Sequence, residues 1–444
     1  MRIVNTPRRA AIAGAALLVA ASGAQVAATG TAGAQGVTLS ATPSPLGVNT
    51  AAWDGYFNDA AVPPALSAAH LGLVRYPGGS WADQYFWQTN TEDGNVQPVS
   101  FAQFSSDVDA ANGQKFVTVN YGSGTPADAG AWATQSLTSG EAVALWEIGN
   151  EEYGSWETDD HPNPHTAASY ASNGLAYMQA IKAAVPGAQV CYDYAMDPSL
   201  APGSGISGYQ AWNDTVLKAD AADINCADVH WYPFSGTPTE TSDQILATIT
   251  KIPAAYSEVH AALSAYDPNA YFVVGELNIS SSETAYNSEP VAALFSAATV
   301  LQWLAYGAKS VDWWDAHNYG TASADFGLLS SGGTGEGPVD TPLAPYYGYV
   351  MASKLAQPGA TLSLLSGLPS NTYGWSSTAD NGSVLLVNAS SSGTAKVSCS
   401  AISKSGTVTE YTYDSAATSV VQSQATCSKS LTLPVESVVV VSEG

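Results

Sequence analysis

Two glutamates at the ends of apolar, strand-like runs have the residue type and the placement for paired acid–base chemistry. Glu151 comes directly after residues 144–150, and Glu276 lies near the end of the run 272–277. Two carboxylates can cleave an acetal when one is a protonated acid and the other is an ionised nucleophile. In a retaining mechanism the two groups stand roughly 5 Å apart. The fold must therefore bring these two segments together.

The segments around these glutamates predict a barrel of parallel strands. Runs rich in β-branched and aromatic residues alternate with segments of helical spacing from about residue 45 to residue 317. The predicted strands are residues 46–50, 73–77, 116–121, 144–150, 189–194, 228–232, 272–277 and 310–315, and the predicted helices include 100–111, 126–137, 166–184, 242–265 and 290–306. Eight such units predict a (β/α)8 barrel, whose catalytic groups lie at the carboxyl ends of the strands.

The C-terminal part of the chain has a different pattern. Apolar and polar residues alternate there, and Gly, Ser, Asn and Thr separate the alternating runs. This pattern predicts an antiparallel β-sandwich. We therefore expect a catalytic barrel over residues 45–355 and a sandwich over residues 356–444. An early strand at residues 37–41 could pair with the sandwich rather than with the barrel.

The first 34 residues have the composition of a secretory signal peptide. Arg2, Arg8 and Arg9 precede an apolar run at residues 10–21, and residues 32–34 form a small-residue cleavage site. The arginine pair leaves the general and the twin-arginine export routes both open. The sequence therefore predicts residues 1–34 as a signal peptide and an extracellular protein.

The four cysteines are consistent with an oxidising compartment. Three pairings are possible in principle. We favour Cys191 with Cys226 and Cys399 with Cys427, because each pair then falls within one predicted domain.

Composition excludes several classes of function. The chain has 38 acidic and 13 basic residues, so its net charge of −25 repels phosphate backbones and anionic membranes. It has no phosphate-binding loop of the G-x-x-x-x-G-K type, no dinucleotide-binding Gly-x-Gly-x-x-Gly after the first strand and no Gly-x-Ser-x-Gly elbow. After the signal, no apolar run approaches the length of a spanning helix. We expect no cofactor and no nucleic-acid or membrane partner. The expected partner is a poly- or oligosaccharide, and the oligomeric state stays open.

Several motifs, in the right order, resemble the clan-A retaining glycoside hydrolases, and most of all the family-51 α-L-arabinofuranosidases. Asn150-Glu151 is similar to the clan's Asn-Glu pair, and Glu276 to its nucleophile position. The run 228–232 resembles the strand-six segment that ends in His-x-Tyr. The residues from Arg75 to Gly79 resemble an Arg-aromatic-Pro-Gly-Gly stretch on strand two. Together the matches cover most of residues 45–320.

The resemblance implies a double-displacement mechanism in which Glu276 is the nucleophile and Glu151 is the acid/base. It also implies that Asn150 binds the 2-hydroxyl of the sugar and that Tyr232 contacts the nucleophile. Arg75 is the only arginine beyond the N-terminal three, and it would hold Glu276 ionised. The alternative for Arg75 is a salt bridge that stabilises the core.

Other residues on the same face are candidates for substrate contact. His230 could bind sugar or could be a core histidine, and Trp314 and His317 at the end of strand eight could stack on or bind sugar. Asn49 and Trp53 occupy the region where the family has an acidic sugar contact on strand one, for which this chain has no clear match.

The loop after the acid/base contains two acids and a His-x-x-x-His pair, namely Asp159, Asp160, His161 and His165. It lies on no predicted helix and lacks the glutamate of the helical zinc motif, so we expect contact with substrate and no metal. Glu152 is expected to point away from the site into a loop contact.

Departures from the family after Glu151 leave the sugar less certain than the reaction. An exo-acting α-L-arabinofuranosidase is the favoured interpretation. The alternatives are a clan-A β-xylosidase, β-glucuronidase or endo-glucanase, and a non-catalytic carbohydrate-binding protein.

Overall fold

The computed structural model describes residues 36–443, and its larger part is a closed barrel of eight parallel strands. In chain order, barrel strands one to eight are Leu46–Asn49, Leu73–Tyr76, Gln114–Val119, Leu145–Ile148, Val190–Tyr194, Cys226–Trp231, Tyr271–Leu277 and Val311–Trp313. Each strand pairs with the next one in sequence, and strand eight closes on strand one. Nearly every strand residue is buried, as expected of parallel strands that are covered on both faces. The predicted fold class is confirmed.

Helices connect the strands on the outside of the barrel. They span Val62–Ala68, Phe101–Ala110, Pro126–Thr138, Ala167–Ala184, Tyr209–Asp220, Ser242–Ala247, Ile252–Tyr266, Pro290–Ala305 and Ala344–Ser353, with 3₁₀ turns at Gly79–Gln84, Thr248–Lys251, Ala285–Ser288 and Ala379–Asn381. The single helix predicted at residues 242–265 was wrong. It is two helices joined by a 3₁₀ turn, because Pro253 lacks an N–H and fits only the first turn of the second helix.

The C-terminal part is antiparallel. A seven-stranded sheet contains Val37–Thr38, Thr361–Leu364, Thr372–Ser377, Ser383–Asn388, Ser437–Glu443, Gly406–Asp414 and Val421–Cys427, in that spatial order, and Ala395–Ser398 pairs with Ser430–Leu433. Alternate apolar residues of both sheets form a separate core that includes Val384, Leu386 and Val397. The early strand joins this sheet rather than the barrel, through Val37 opposite Leu362. A small three-stranded sheet, Tyr85–Phe86, Thr91–Glu92 and Asn95–Val96, follows barrel strand two.

Two disulfides have the favoured pairing. Cys191–Cys226 joins neighbouring barrel strands five and six, and Cys399–Cys427 lies in the sandwich. Within residues 36–443, no helix is long and apolar enough to cross a membrane. The predicted signal peptide lies outside the described residues, and the domain limits 45–355 and 356–444 stay predictions.

Candidate active site

An open pocket of about 400 Å³ lies where the carboxyl ends of the barrel strands meet. Its walls are Gly79, Ser80, Asn150, Glu151, Trp156, Gly203, Tyr232, Glu276, Ser281, Trp314 and Phe326. Both predicted catalytic glutamates therefore face the same cavity. Its volume is in the range of small-ligand sites, about 300–1,000 Å³.

Glu276 is held at the pocket floor by two donors. The Arg75 guanidinium donates to its Oε1 at 2.7 Å, and the Tyr232 hydroxyl donates to its Oε2 at 2.7 Å. Burial and the Glu276 carboxylate raise the pKa of Tyr232, so its hydroxyl stays protonated and able to donate. These two charge-assisted bonds leave the Glu276 carboxylate little freedom to rotate.

A bulge in barrel strand seven aims Glu276 into the pocket. The register against strand six shifts here, so that Val229 lies opposite Val274 but His230 lies opposite Glu276. Gly275 occupies the shift, and its N–H donates to the Asp228 carboxylate at 2.7 Å. A Cβ at Gly275 would come within 2.2 Å of that carboxylate, so the bulge requires glycine.

Glu151 sits on a strained turn just after barrel strand four. Its φ is +48°, a left-handed conformation that is uncommon for a residue with a side chain. Its carboxylate accepts hydrogen bonds from the Tyr153 hydroxyl at 3.1 Å, from the Trp156 indole at 2.9 Å and from His230 Nδ1 at 2.9 Å. The turn and the three bonds hold the carboxylate at the pocket wall.

His230 lies between the two glutamates and limits their separation. Its Nδ1 is 2.9 Å from Glu151 Oε1 and 3.6 Å from Glu276 Oε2, so these two oxygens are at most about 6.5 Å apart. Burial alone would lower the pKa of His230, but Glu276, Asp228 and Glu151 outweigh it and hold the pKa well above the usual range. The His230 ring therefore lies between the two carboxylates and contacts both of them.

Arg75 both contacts Glu276 and forms ion pairs in the barrel core. Its side chain is fully buried, and besides Glu276 it donates to Glu147 at 2.8 Å, to Asn49 at 3.0 Å and to Asn150 at 2.8 Å. Burial alone would lower its pKa, but the surrounding carboxylates outweigh this effect and raise it. The predicted contact with Glu276 and the alternative of a core salt bridge are therefore both present in one hydrogen-bond network.

Both polar atoms of the Asn150 side-chain amide form hydrogen bonds. Its Oδ1 accepts from Arg75, and its Nδ2 donates to Glu157 at 3.0 Å. Glu157 also accepts from the Ser80 hydroxyl at 2.9 Å, which joins the loops after strands two and four.

Solved structures with a similar fold cover nearly the whole chain. An arabinofuranosidase of family 51 from Xanthomonas axonopodis pv. citri is 14% identical with a TM-score of 0.67, over 91% of this chain and 97% of its own. The α-L-arabinofuranosidase of Thermotoga maritima, in an arabinose complex, is 14% identical with a TM-score of 0.70, over 92% and 98%. The chain has the fold of the family-51 arabinofuranosidases.

A second family shares this architecture. A family-44 xyloglucanase from Paenibacillus polymyxa is 11% identical with a TM-score of 0.63, over 92% of this chain and 98% of its own. No family model matches the sequence, and no curated protein matches it. The likeness to family 51 that the motifs predicted is supported at the level of the fold.

Five predicted substrate contacts do not line the pocket: Arg75 and His230, which contact the two glutamates, and Asn49, Trp53 and His317. Asn49 is fully buried and donates to the backbone carbonyls of Gly275 and Trp313, so it ties strand one to strands seven and eight. Trp53 packs against Tyr319, with ring centroids 5.7 Å apart. His317 is held between two other carboxylates, those of Asp54 and Asp340. Trp314, in contrast, forms part of the pocket wall.

Glu152 points away from the pocket and contacts the loop that carries Asp159 and His165, as expected. Its side chain is fully buried beneath the turn, and its backbone N–H donates to Asp193 at 2.9 Å. The left-handed conformation at Glu151 reverses the chain direction and sends the next side chain inward.

The sequence did not predict the residues of the pocket wall that lie in loops. Ser80, Trp156, Gly203, Ser281 and Phe326 lie outside the regular strands and follow no periodic pattern. Trp156 follows Glu151 by five positions and folds back to donate its indole N–H to the Glu151 carboxylate.

Proposed function

We propose that this protein is an exported, retaining glycoside hydrolase that removes terminal α-L-arabinofuranosyl groups from polysaccharide side chains. The observation that carries the proposal is the pair Glu151 and Glu276, bridged by His230 in one open pocket. Inverting enzymes separate their carboxyl groups by about 6.5–9.5 Å to admit a water, whereas retaining enzymes use about 5–5.5 Å. The limit of about 6.5 Å that His230 sets for one pair of their oxygens lies at the lower end of the inverting range and is compatible with retention.

In the first step, the Glu276 carboxylate attacks the anomeric carbon and the bond to the leaving oxygen breaks. Glu151 gives its proton to that oxygen, so the aglycone leaves as an alcohol. In the second step, Glu151 takes a proton from water, the resulting hydroxide attacks the anomeric carbon, and Glu276 is released. Arg75 and Tyr232 stabilise the Glu276 carboxylate at the start and at the end of the cycle.

The choice of sugar is supported by the fold. Neighbours of family 51 have higher TM-scores than the family-44 xyloglucanase, and one of them is in complex with arabinose. An endo-acting β-glucanase is the second candidate. The family-44 likeness favours it, as does the 54% exposure of Trp156, which could extend a binding surface beyond one sugar.

Export is supported by the two disulfides and by the arginine-led apolar segment at the N-terminus. The acidic net charge is compatible with a neutral carbohydrate partner.

A panel of nitrophenyl glycosides tests the proposed activity. We expect rapid cleavage of the α-L-arabinofuranoside and slow or no cleavage of the β-xyloside, β-glucoside and β-glucuronide. Cleavage of xyloglucan or β-glucan without arabinofuranoside cleavage would favour the endo-glucanase. Silence on every substrate would favour a carbohydrate-binding protein.

Replacing His230 with phenylalanine should lower kcat/KM by about 10²-fold, because Glu151 loses the donor that places it. The loss should be larger for an alkyl arabinofuranoside than for the nitrophenyl one, since a poor leaving group depends more on proton donation. Steady-state kinetics on both substrates measure this difference. His260→Phe, on the exposed face of Ile252–Tyr266, is the matched control. An equal loss on both substrates would refute the role.

A further inference from the structure

A second buried polar cluster lies behind Glu151, and the proposed mechanism does not use it. Glu152 is fully buried beside the buried Asp83 carboxyl, and neither of its oxygens accepts a hydrogen bond from an N–H or a hydroxyl group. A buried carboxylate without a partner is costly, so this group needs compensation from its surroundings.

The loop after Glu151 brings two further ligand groups to the same place. One oxygen of Glu152, one oxygen of Asp159 and one ring nitrogen of His165 lie within 4.8 Å of one another. The Nδ1 of His165 is buried and has no hydrogen-bond partner. Two of the three side chains thus present unsatisfied polar atoms.

The loop backbone is folded around Asp159. This carboxylate accepts the backbone N–H groups of His161 at 2.9 Å and of His165 at 3.0 Å, and its side chain is only 2% exposed. His165 has a φ of +55°, so the chain reverses there. The arrangement is fixed by backbone contacts and does not depend on mobile side chains.

The buried acids have a basic neighbour, His161, whose Nδ1 lies 3.0 Å from Asp159 Oδ1. Asp83 and Asp193 are also buried close to Glu152, and Asp83 already accepts three backbone N–H groups. Among residues 36–443, no lysine or arginine lies within salt-bridge distance of Glu152, Asp83, Asp159 or Asp193. The one buried arginine, Arg75, is committed to the active site.

We propose that Glu152, Asp159 and His165 bind a divalent transition-metal cation of the Zn²⁺ type. Two carboxylates with one imidazole suit zinc, whereas calcium favours oxygen ligands alone. With bond lengths of about 2.0–2.2 Å, one ion reaches ligands up to about 4.4 Å apart, so the cluster needs only a small contraction. The ion would fasten the loop that carries Trp156 and Glu157 to the end of barrel strand four.

The sequence predicted no metal in this loop, because the pair His161 and His165 lacks the glutamate of the helical zinc motif. The fold supplies one from the strand end, where Glu152 is separated from His165 by a loop rather than by a helical turn. The inference does not rest on the proposed glycosidase activity, because binding of the metal can be measured without substrate.

Zinc binding to the full chain tests this site. After dialysis against a chelator, calorimetric titration with Zn²⁺ alone should show one ion per chain, and the Tm should rise with bound zinc. His165→Asn, which suits the left-handed backbone, should weaken binding at least about tenfold. Asp159→Asn should do the same. The same change at exposed His260, His260→Asn, should leave binding unchanged.

Several results would overturn the site. They are no zinc binding by the unaltered chain, equal zinc affinity in His165→Asn, or binding of Ca²⁺ in preference to Zn²⁺. A Glu152→Gln variant that gains stability while the unaltered chain ignores zinc would show that shared protons satisfy the cluster instead.

Discussion

Replacing Glu276 with alanine should abolish arabinofuranoside turnover while the protein still folds. We expect kcat to fall by roughly 10⁴-fold or more, since the proposed nucleophile is removed. Folding should persist because Glu276 lines the open pocket, and Arg75 keeps Glu147 and Asn150 as partners. Steady-state kinetics and a thermal melt measure both effects.

Rescue by azide tests specifically whether Glu276 is the nucleophile. In the Glu276→Ala variant, azide can enter the vacated space and attack the anomeric carbon from the same face as the carboxylate did. We expect partial recovery of turnover and a glycosyl azide of inverted configuration. Glu289→Ala, at an exposed residue before Pro290–Ala305, is the control and should behave as the unaltered protein. Near-normal activity in Glu276→Ala would eliminate Glu276 as the nucleophile.

Replacing Arg75 with methionine should be the most destabilising single change in the barrel. The substitution leaves Glu147, Asp228 and Glu276 without their buried cation, and breaking a buried ion pair in this way costs about 3–5 kcal/mol. Denaturant unfolding measures the loss. Activity should fall as well, because Glu276 loses the donor to its Oε1.

A second ion pair provides the contrast. Lys115 is buried, but its partner Asp109 is 55% exposed, so Asp109 can be solvated when the lysine is removed. Lys115→Met should therefore cost only about 1 kcal/mol or less. If Arg75→Met were no more destabilising than Lys115→Met, the Arg75 network would not be a main support of the barrel.

The barrel and its two glutamates could be predicted because local sequence determines them. Buried parallel strands appear as continuous apolar runs, and the first polar residues after such runs lie at one end of the barrel. This rule places Glu151 and Glu276 in the same region without any knowledge of distances. The early strand and the disulfides followed from pattern and from domain membership in the same way.

Contacts made by barrel closure could not be predicted. Asn49 lies on a correctly predicted strand, but its amide bonds to strands seven and eight, which become neighbours only when the barrel closes. The inward turn of Glu152 depends on the left-handed backbone at Glu151, and sequence spacing does not specify that conformation. The position of the loop residue Trp156 in the pocket wall depends on the same turn.

The stereochemistry of methanolysis tests the central claim most directly. With a nitrophenyl α-L-arabinofuranoside in buffer containing methanol, a double displacement through Glu276 should give methyl α-L-arabinofuranoside, which does not mutarotate. Proton NMR identifies the anomer during the reaction. The retained α-anomer is the result that the paired glutamates predict. The β-anomer would mean a single displacement, and it would contradict the assignment of Glu276 as a nucleophile.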